Sequence, residues 1–235
     1  MQVYKALGVV GSIVFAGTSL AASVDVGFFN ITNNGNGDIA SQLKLTVSDV
    51  AGDPASIDFL FKNVVGTASS IKEIYFDAGT VGTMFTSGSI QGQVGANFQW
   101  GSANPGELPG ASTMIPPFHT TLALLTDSGN GGPSTGLDLA SDSLTVRLKL
   151  AAGKTYSDVT AGLLSVAPGQ TGSIRVGMHI ISIGTVGGSD SYVSGGGGAP
   201  LAVPLPSAAW LGVTSMGGLF AFQKRRRLRR GSGRN

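Results

Sequence analysis

The chain has 235 residues, which suits one domain or at most two, and its 37 glycines and 10 prolines stay below the roughly 25–30% share typical of low-complexity chains. Charged residues reach only 12%, against about 25% in an average soluble domain, so either part of the chain meets a membrane or the protein is unusually poor in charge. The absence of cysteine excludes disulfides, thiolate-bound metals and a thiol nucleophile, and two histidines leave few other metal or triad chemistries.

The N-terminus carries the pattern of a secretory signal peptide over residues 1–23. One early cation, Lys5, precedes an apolar run rich in glycine and alanine from Ala6 to Ala22. Small residues close this run, and we expect signal peptidase to cleave after residue 21, 22 or 23. The segment is therefore expected to engage the general secretory machinery and to be no part of the folded domain.

Residues 24–194 show the period-two alternation of half-buried strands far more often than helical periodicity. In Ser173–Ile183, for example, the apolar side chains are expected to face inward and Arg175 and His179 outward. Nine short strands at this spacing predict an all-β fold, an antiparallel and jelly-roll-like β-sandwich. The predicted strands are Val24–Asn30, Ser41–Val47, Ser56–Lys62, Ile71–Phe76, Ala96–Trp100, Thr120–Leu125, Ser143–Leu150, Ser173–Ile183 and Ser189–Val193.

One short helix and two long loops complete the predicted domain. The helix is expected over Ser157–Val166, with Ser157 as its N-cap. The connections Gly101–Pro117 and Asp127–Asp142 are rich in Pro, Gly, Ser and Asn. Loops of this length are either functional or mobile, so ligand contacts are expected there.

Few residues of the domain suggest chemistry. His119 and His179 are the candidate general bases, but no G-x-S-x-G motif supplies a nucleophile. Trp100 and Phe98 share a strand face, which fits either a sugar-stacking platform or core packing. Trp100 is therefore the candidate glycan contact, and no catalytic residue, cofactor or metal is predicted.

An asparagine-rich segment raises one alternative to that conclusion. Asn34, Asn36 and Asp38 alternate as oxygen ligands do in a calcium loop. The twelfth position would be Leu45, so the bidentate acid is missing. A hairpin turn built on Asn-Gly explains the same residues.

The C-terminus has three parts in a fixed order. Residues 195–206, which contain four glycines and three prolines, predict a linker that favours neither helix nor sheet. Residues 207–223 predict a transmembrane helix, whose uncharged part, Ser207–Phe222, is about 24 Å long at 1.5 Å per residue. Residues 224–235 form a basic tail that belongs on the cytoplasmic side, and Trp210 suits the opposite interface.

Charge is distributed very unevenly along the chain. Seven of the fifteen cations lie in Lys224–Arg234, and all thirteen acids lie within residues 24–203 together with seven cations. The exported part therefore carries a net charge of about minus six. A domain of this sign is a poor partner for a phosphate backbone, so no nucleic-acid binding is expected.

The segment Val203-Pro204-Leu205-Pro206-Ser207-Ala208-Ala209-Trp210, followed by an apolar helix and an arginine cluster, resembles the PEP-CTERM sorting signal in its VPLPA variant. It departs from the family pattern at Leu205 and Ser207. The resemblance implies export by a Gram-negative bacterium, an exosortase-type membrane transpeptidase as partner, and an association with exopolysaccharide and biofilm. The implied signal residues are Val203, Pro204, Leu205, Pro206, Trp210, Lys224, Arg225, Arg226, Arg227, Arg229 and Arg230.

Three functions remain open from the sequence. The first is a non-enzymatic surface or matrix protein, tethered to the inner membrane as a precursor and released to the cell surface or medium after processing. The second is a carbohydrate-binding module or adhesin that holds exopolysaccharide through its long loops or Trp100. The third is a secreted hydrolase.

Overall fold

The computed structural model describes residues 21–64, 66–79, 83–102, 106–126, 133–164 and 174–195 of the chain. These residues all belong to one compact unit, Ala21–Val203. No helix within them is long and apolar enough to cross a membrane. The predicted signal peptide up to residue 20, the linker beyond Gly195, the transmembrane helix and the basic tail lie outside the described residues and stay predictions.

The described unit consists of strands, one α-helix and three short 3-10 turns. The turns are Ala40–Gln42, Ala111–Thr113 and Pro133–Thr135, and the helix α1 is Tyr156–Leu164. The strands are β1 (Ser23–Val26), β2 (Phe28–Asn30), β3 (Leu43–Asp49), β4 (Ser56–Asn63), β5 (Ser70–Asp77), β6 (Phe85–Val94), β7 (Phe98–Trp100), β8 (Leu122–Thr126), β9 (Ser143–Leu150), β10 (Arg175–Ile183) and β11 (Gly188–Ser194).

The strands form two sheets in which every pairing between strands is antiparallel. The five-stranded sheet has the order β1-β3-β4-β9-β6, and the six-stranded sheet has the order β2-β11-β10-β5-β8-β7. This arrangement confirms the predicted all-β class, with antiparallel sheets and one short helix. Eleven strands are described where the sequence predicted nine.

Alternate side chains of the two sheets meet in one apolar core. At its centre, the Phe59 ring on β4 contacts Phe76 on β5 and Phe85 on β6 edge to face, with ring centroids 5.4 and 6.0 Å apart. Burying a side chain of this size contributes about 1.5–3 kcal/mol. The inward positions predicted on β10, such as Val176 and Met178, are fully buried in this core.

Two strand predictions were wrong for identifiable reasons. Strand β6 was missed because eight of its ten residues are exposed, so its sequence has no apolar alternation. The predicted strand Val24–Asn30 is two strands, because the chain passes from one sheet to the other at Gly27. Its first half pairs with β3 and its second half with β11.

The helix was placed correctly, but its N-cap was not. Its first turn is held by Thr155, whose backbone N–H and hydroxyl both donate to Asp158 Oδ2, at 2.8 and 2.7 Å. The backbone N–H of Asp158 returns a 3.3 Å hydrogen bond to the Thr155 hydroxyl. This reciprocal pattern is a capping box, so the cap is Thr155 and not the predicted Ser157.

Candidate functional site

Three side chains that carry ionisable or hydroxyl groups form a row across the outer face of the six-stranded sheet. Strand register pairs Glu73 on β5 with His179 on β10, and His179 with Ser191 on β11. Directly paired residues of antiparallel strands point to the same face, with Cβ atoms about 4.5–5.5 Å apart. The fold therefore brings a carboxylate, an imidazole and a hydroxyl together from distant parts of the sequence.

The Glu73 carboxylate lies at one end of this row and accepts two hydrogen-bonding contacts. His179 Nδ1 lies 2.9 Å from Glu73 Oε2, and the Tyr75 hydroxyl donates to the same oxygen at 2.7 Å. The His179 hydrogen bond holds the pKa of Glu73 below its usual value, against the opposing effect of burial, and the Tyr75 bond adds to the lowering. Burial, with the neighbouring Glu73, raises the pKa of Tyr75. The pair remains open to solvent, since the His179 and Glu73 side chains are 20% and 33% exposed.

Ser191 limits what this row can do. Its residue is fully buried, and its Oγ makes no hydrogen bond with any described residue. A serine nucleophile needs both a hydrogen-bonded base and a path for the substrate. The arrangement can hold a proton between Glu73 and His179 and can hydrogen-bond the hydroxyls of a ligand there, while Ser191 lacks the contacts of an activated nucleophile.

The neighbouring part of the same sheet face is roofed by the loop between β7 and β8. Leu108, Ala111 and Phe118 of this loop pack on Tyr75 and Val193 in a second, smaller apolar cluster. A Cβ at Gly177 on β10 would lie 2.6 Å from Leu108 Cδ2, so only glycine lets the loop approach this closely. The described residues 106–121 of this loop are thus anchored on the sheet by a few apolar side chains, while many of its other residues stay exposed.

Arg175 fastens this loop, which corrects the expectation that its side chain faces solvent. The residue is 4% exposed. Its Nε and Nη2 donate to Asp77 Oδ2, while Nη1 and Nη2 donate to the carbonyl oxygens of Pro116 and Pro117 at 2.9 and 2.5 Å. The guanidinium also lies 5.2 Å from the centroid of the Phe118 ring.

His119 lies beside the Arg175–Asp77 pair, and only its backbone takes part in the hydrogen bonds there. Its N–H donates to Asp77 Oδ2 at 3.1 Å, and the residue is exposed. The imidazole makes no hydrogen bond to another residue of the described part of the chain. Of the two predicted histidine bases, the structure therefore brings only His179 to a carboxylate.

Trp100, the candidate glycan contact, lies on β7 at the edge of the six-stranded sheet. It is half-buried and packs against the core. A Cβ at Gly88 on β6 would lie 2.6 Å from Trp100 Cη2, so that glycine makes room for the indole. Stacking on a sugar needs an open ring face, and packing already uses part of this ring.

The asparagine-rich segment that fitted a calcium loop wraps around Asp190 on β11. Asp190 Oδ1 accepts hydrogen bonds from the Thr32 hydroxyl and the Asn34 N–H, both at 2.8 Å, and Oδ2 accepts one from Asn36 Nδ2 at 2.9 Å. These donors occupy the oxygens that a cation would need. Across the described ranges, no group of three or more acidic or histidine side chains could hold a metal ion.

The predicted sorting residues fall outside the residues that the structure describes. They are Val203, Pro204, Leu205, Pro206, Trp210, Lys224, Arg225, Arg226, Arg227, Arg229 and Arg230. No protein-family model, curated protein or solved structure matches the chain. Support for the candidate site therefore comes from its geometry, and support for the sorting signal comes from the sequence pattern.

Proposed function

We propose that the chain is an exported cell-surface or extracellular-matrix protein with a C-terminal exosortase sorting signal and no catalytic activity. In this proposal it begins as a precursor tethered to the inner membrane. Processing near Val203–Pro206 then moves the sandwich, of jelly-roll type, to the cell surface or medium. Its partners are the general secretory machinery and an exosortase-type transpeptidase, with exopolysaccharide as a further partner in the matrix.

The order of elements at the C-terminus carries this proposal. Val203–Pro206 precedes sixteen uncharged residues, Ser207–Phe222, and six cations within Lys224–Arg230 follow them. An apolar helix followed by cations stops translocation and keeps the cations inside. The described strands support the same division, because they run from Ser23, the last residue of the predicted signal segment, to Ser194, which precedes the predicted linker.

The proposed mechanism is physical retention. While the net-acidic sandwich folds outside, the helix holds the linker beside the membrane, where a membrane-embedded transpeptidase can reach it. Pro204 and Pro206 lack backbone N–H donors and keep the segment extended. Such a segment can lie in an enzyme groove without first unfolding from a helix or a sheet.

Deleting Val203–Pro206 tests this mechanism in a Gram-negative host that carries a matching exosortase. We expect the precursor to accumulate unprocessed in the membrane fraction, as read by intact mass and cell fractionation. The matched control deletes Gly195–Gly198, which shortens the linker by the same number of residues and leaves the motif in place. Normal maturation of the motif deletion would contradict the proposal.

A second candidate function is carbohydrate binding, favoured by the partly exposed Glu73–His179 pair. A carboxylate and an imidazole on an open sheet face can bind the paired hydroxyls of a sugar. A pull-down with the producing cells' own exopolysaccharide tests this function. Loss of binding in Glu73→Gln places the ligand at this pair, loss in Trp100→Ala places it at β7, and retention in both excludes these two sites.

A further inference from the structure

The loop Asn33–Asp38 contains two Asn-Gly pairs that the proposed function does not use. Gly35 and Gly37 have φ angles of +79° and +82°, in the left-handed region that glycine adopts without strain. Asn34 and both glycines are exposed, and Asn36 is half-buried. The loop lies against β11 at the edge of the six-stranded sheet, where β2 pairs with β11.

Asp190 holds this loop in place. It is 1% exposed, and three protein donors, the Thr32 hydroxyl, the Asn34 N–H and Asn36 Nδ2, reach its carboxylate at 2.8–2.9 Å. Burial raises the pKa of Asp190, but these hydrogen bonds outweigh burial and leave the pKa below its usual value. Asp190 is therefore a buried anion whose charge depends on donors from the loop.

The asparagine amides make the remaining contacts between the loop and β11. Asn34 Nδ2 donates to the Ser189 carbonyl oxygen at 2.8 Å. Asn36 Nδ2 donates to the same oxygen at 3.1 Å, besides its bond to Asp190. Every one of these contacts requires the amide –NH₂ group, because a carboxylate has no proton to donate at neutral pH.

We propose that Asn34 is a site of spontaneous chemical modification, in which deamidation loosens this edge of the sandwich as the protein ages. The Gly35 backbone nitrogen attacks Asn34 Cγ, the new N–Cγ bond forms, and the Cγ–Nδ2 bond breaks. Ammonia leaves with the proton that the Gly35 nitrogen loses. Water then opens the cyclic imide at either carbonyl, which gives an aspartyl or an isoaspartyl residue with no oxidant or cofactor.

The hydrogen bonds of the folded loop predict which of the two Asn-Gly pairs reacts faster. Glycine offers the least steric hindrance to the attacking nitrogen in both pairs. The amide of Asn36 must give up two hydrogen bonds before its Cγ–Nδ2 bond can break, whereas the amide of Asn34 gives up one. One additional hydrogen bond of about 1 kcal/mol corresponds to roughly a fivefold difference in rate.

The aspartyl or isoaspartyl product weakens the hydrogen bonds that hold the loop against β11. A carboxylate oxygen at Asn34 replaces a donor with an acceptor 2.8 Å from the Ser189 carbonyl oxygen. It also adds a negative charge to the residue whose backbone N–H donates to the buried Asp190. Two like charges and two facing acceptors repel, so the loop separates from β11. The pairing of β2 with β11 then loses support at its Asn30–Tyr192 end, which is the end nearest the loop.

The test is incubation of the purified full chain at mildly alkaline pH, followed by peptide mass mapping, isoaspartate detection and hydrogen exchange. In the folded protein we expect deamidation at Asn34 first and at Asn36 about fivefold more slowly. In denaturant the two rates should converge. Asn33, which has no following glycine, is the internal control and should keep its amide.

Two variants separate the chemistry from its consequence. Asn34→Asp should reproduce the loss of hydrogen-exchange protection at β2 and β11 without incubation. Asn33→Asp adds the same charge one residue away and should leave that protection unchanged. An Asn34 amide that persists in the folded chain while it reacts in denaturant would overturn the proposal, and so would an Asn34→Asp variant with wild-type protection.

Discussion

The buried ion pair between Arg175 and Asp77 gives the sharpest stability prediction for this fold. Asp77→Asn keeps the side chain's size but removes the charge that faces a guanidinium only 4% exposed. Removing one partner of a buried pair leaves an uncompensated charge and typically costs about 3–5 kcal/mol. The asparagine oxygen can still accept from Arg175, so we expect about 3 kcal/mol, near the lower end of that range.

The exposed pair between Arg147 and Asp58 supplies a matched control. It has good geometry, with two hydrogen bonds of 2.7 Å, but its side chains are 32% and 21% exposed. Asp58→Asn should therefore cost at most about 1 kcal/mol. Urea unfolding of the purified chain, followed by circular dichroism, measures both losses. If Asp77→Asn costs no more than Asp58→Asn, the description of Arg175 and Asp77 as a coupled buried pair is wrong.

Three further predictions concern other parts of the unit. The pKa of Glu73 is lowered in the folded chain, so its pair with His179 stabilises the fold above the ordinary glutamate pKa of 4.5, and this stabilisation is lost as the pH falls through the lowered pKa. In Glu73→Gln, the free energy of unfolding in urea should therefore fall less steeply at acid pH. Phe59→Ala removes a fully buried ring and should cost about 3–5 kcal/mol, whereas Phe59→Leu should cost much less in the same assay. Lys62 pairs across strands with Lys44, so Lys62→Glu should stabilise the fold by up to about 1 kcal/mol at low salt, and the gain should vanish in about 1 M salt.

The sequence was most informative where strands have one face in the core. Strands β4 and β9 alternate cleanly because the core accepts every second side chain and the others lie on the outer face. The strand at the rim of the five-stranded sheet, β6, has no such contrast, and it also carries two register shifts. Its residues therefore look like a loop in the sequence although they pair along the length of β9.

The candidate site was hidden for a different reason. Glu73 and His179 lie on the outer faces of predicted strands, but which outward positions become neighbours depends on strand order and register. Glu73 and His179 are 106 residues apart, and no local pattern joins them. Arg175 was misjudged in the same way, because alternation assigns it to the outer face but cannot reveal that residues 106–119 cover that face.

The way this loop is held bears on the proposed life outside the cell. Exported domains of modest size often fasten long loops with disulfides, and this chain has no cysteine. Here Arg175 holds the loop instead of a disulfide. It donates four hydrogen bonds, two to a buried carboxylate and two to successive loop carbonyls, and these bonds join strands β5 and β10 to the connection between β7 and β8. Opening the loop breaks the Arg175 bonds to Pro116 and Pro117 and the His119 bond to Asp77, while the charge pair itself joins β10 to β5 within the sheet. Because no thiol holds this loop, its attachment does not depend on the redox state of the surroundings. This suits a protein whose proposed role is to persist at a surface rather than to turn over a substrate.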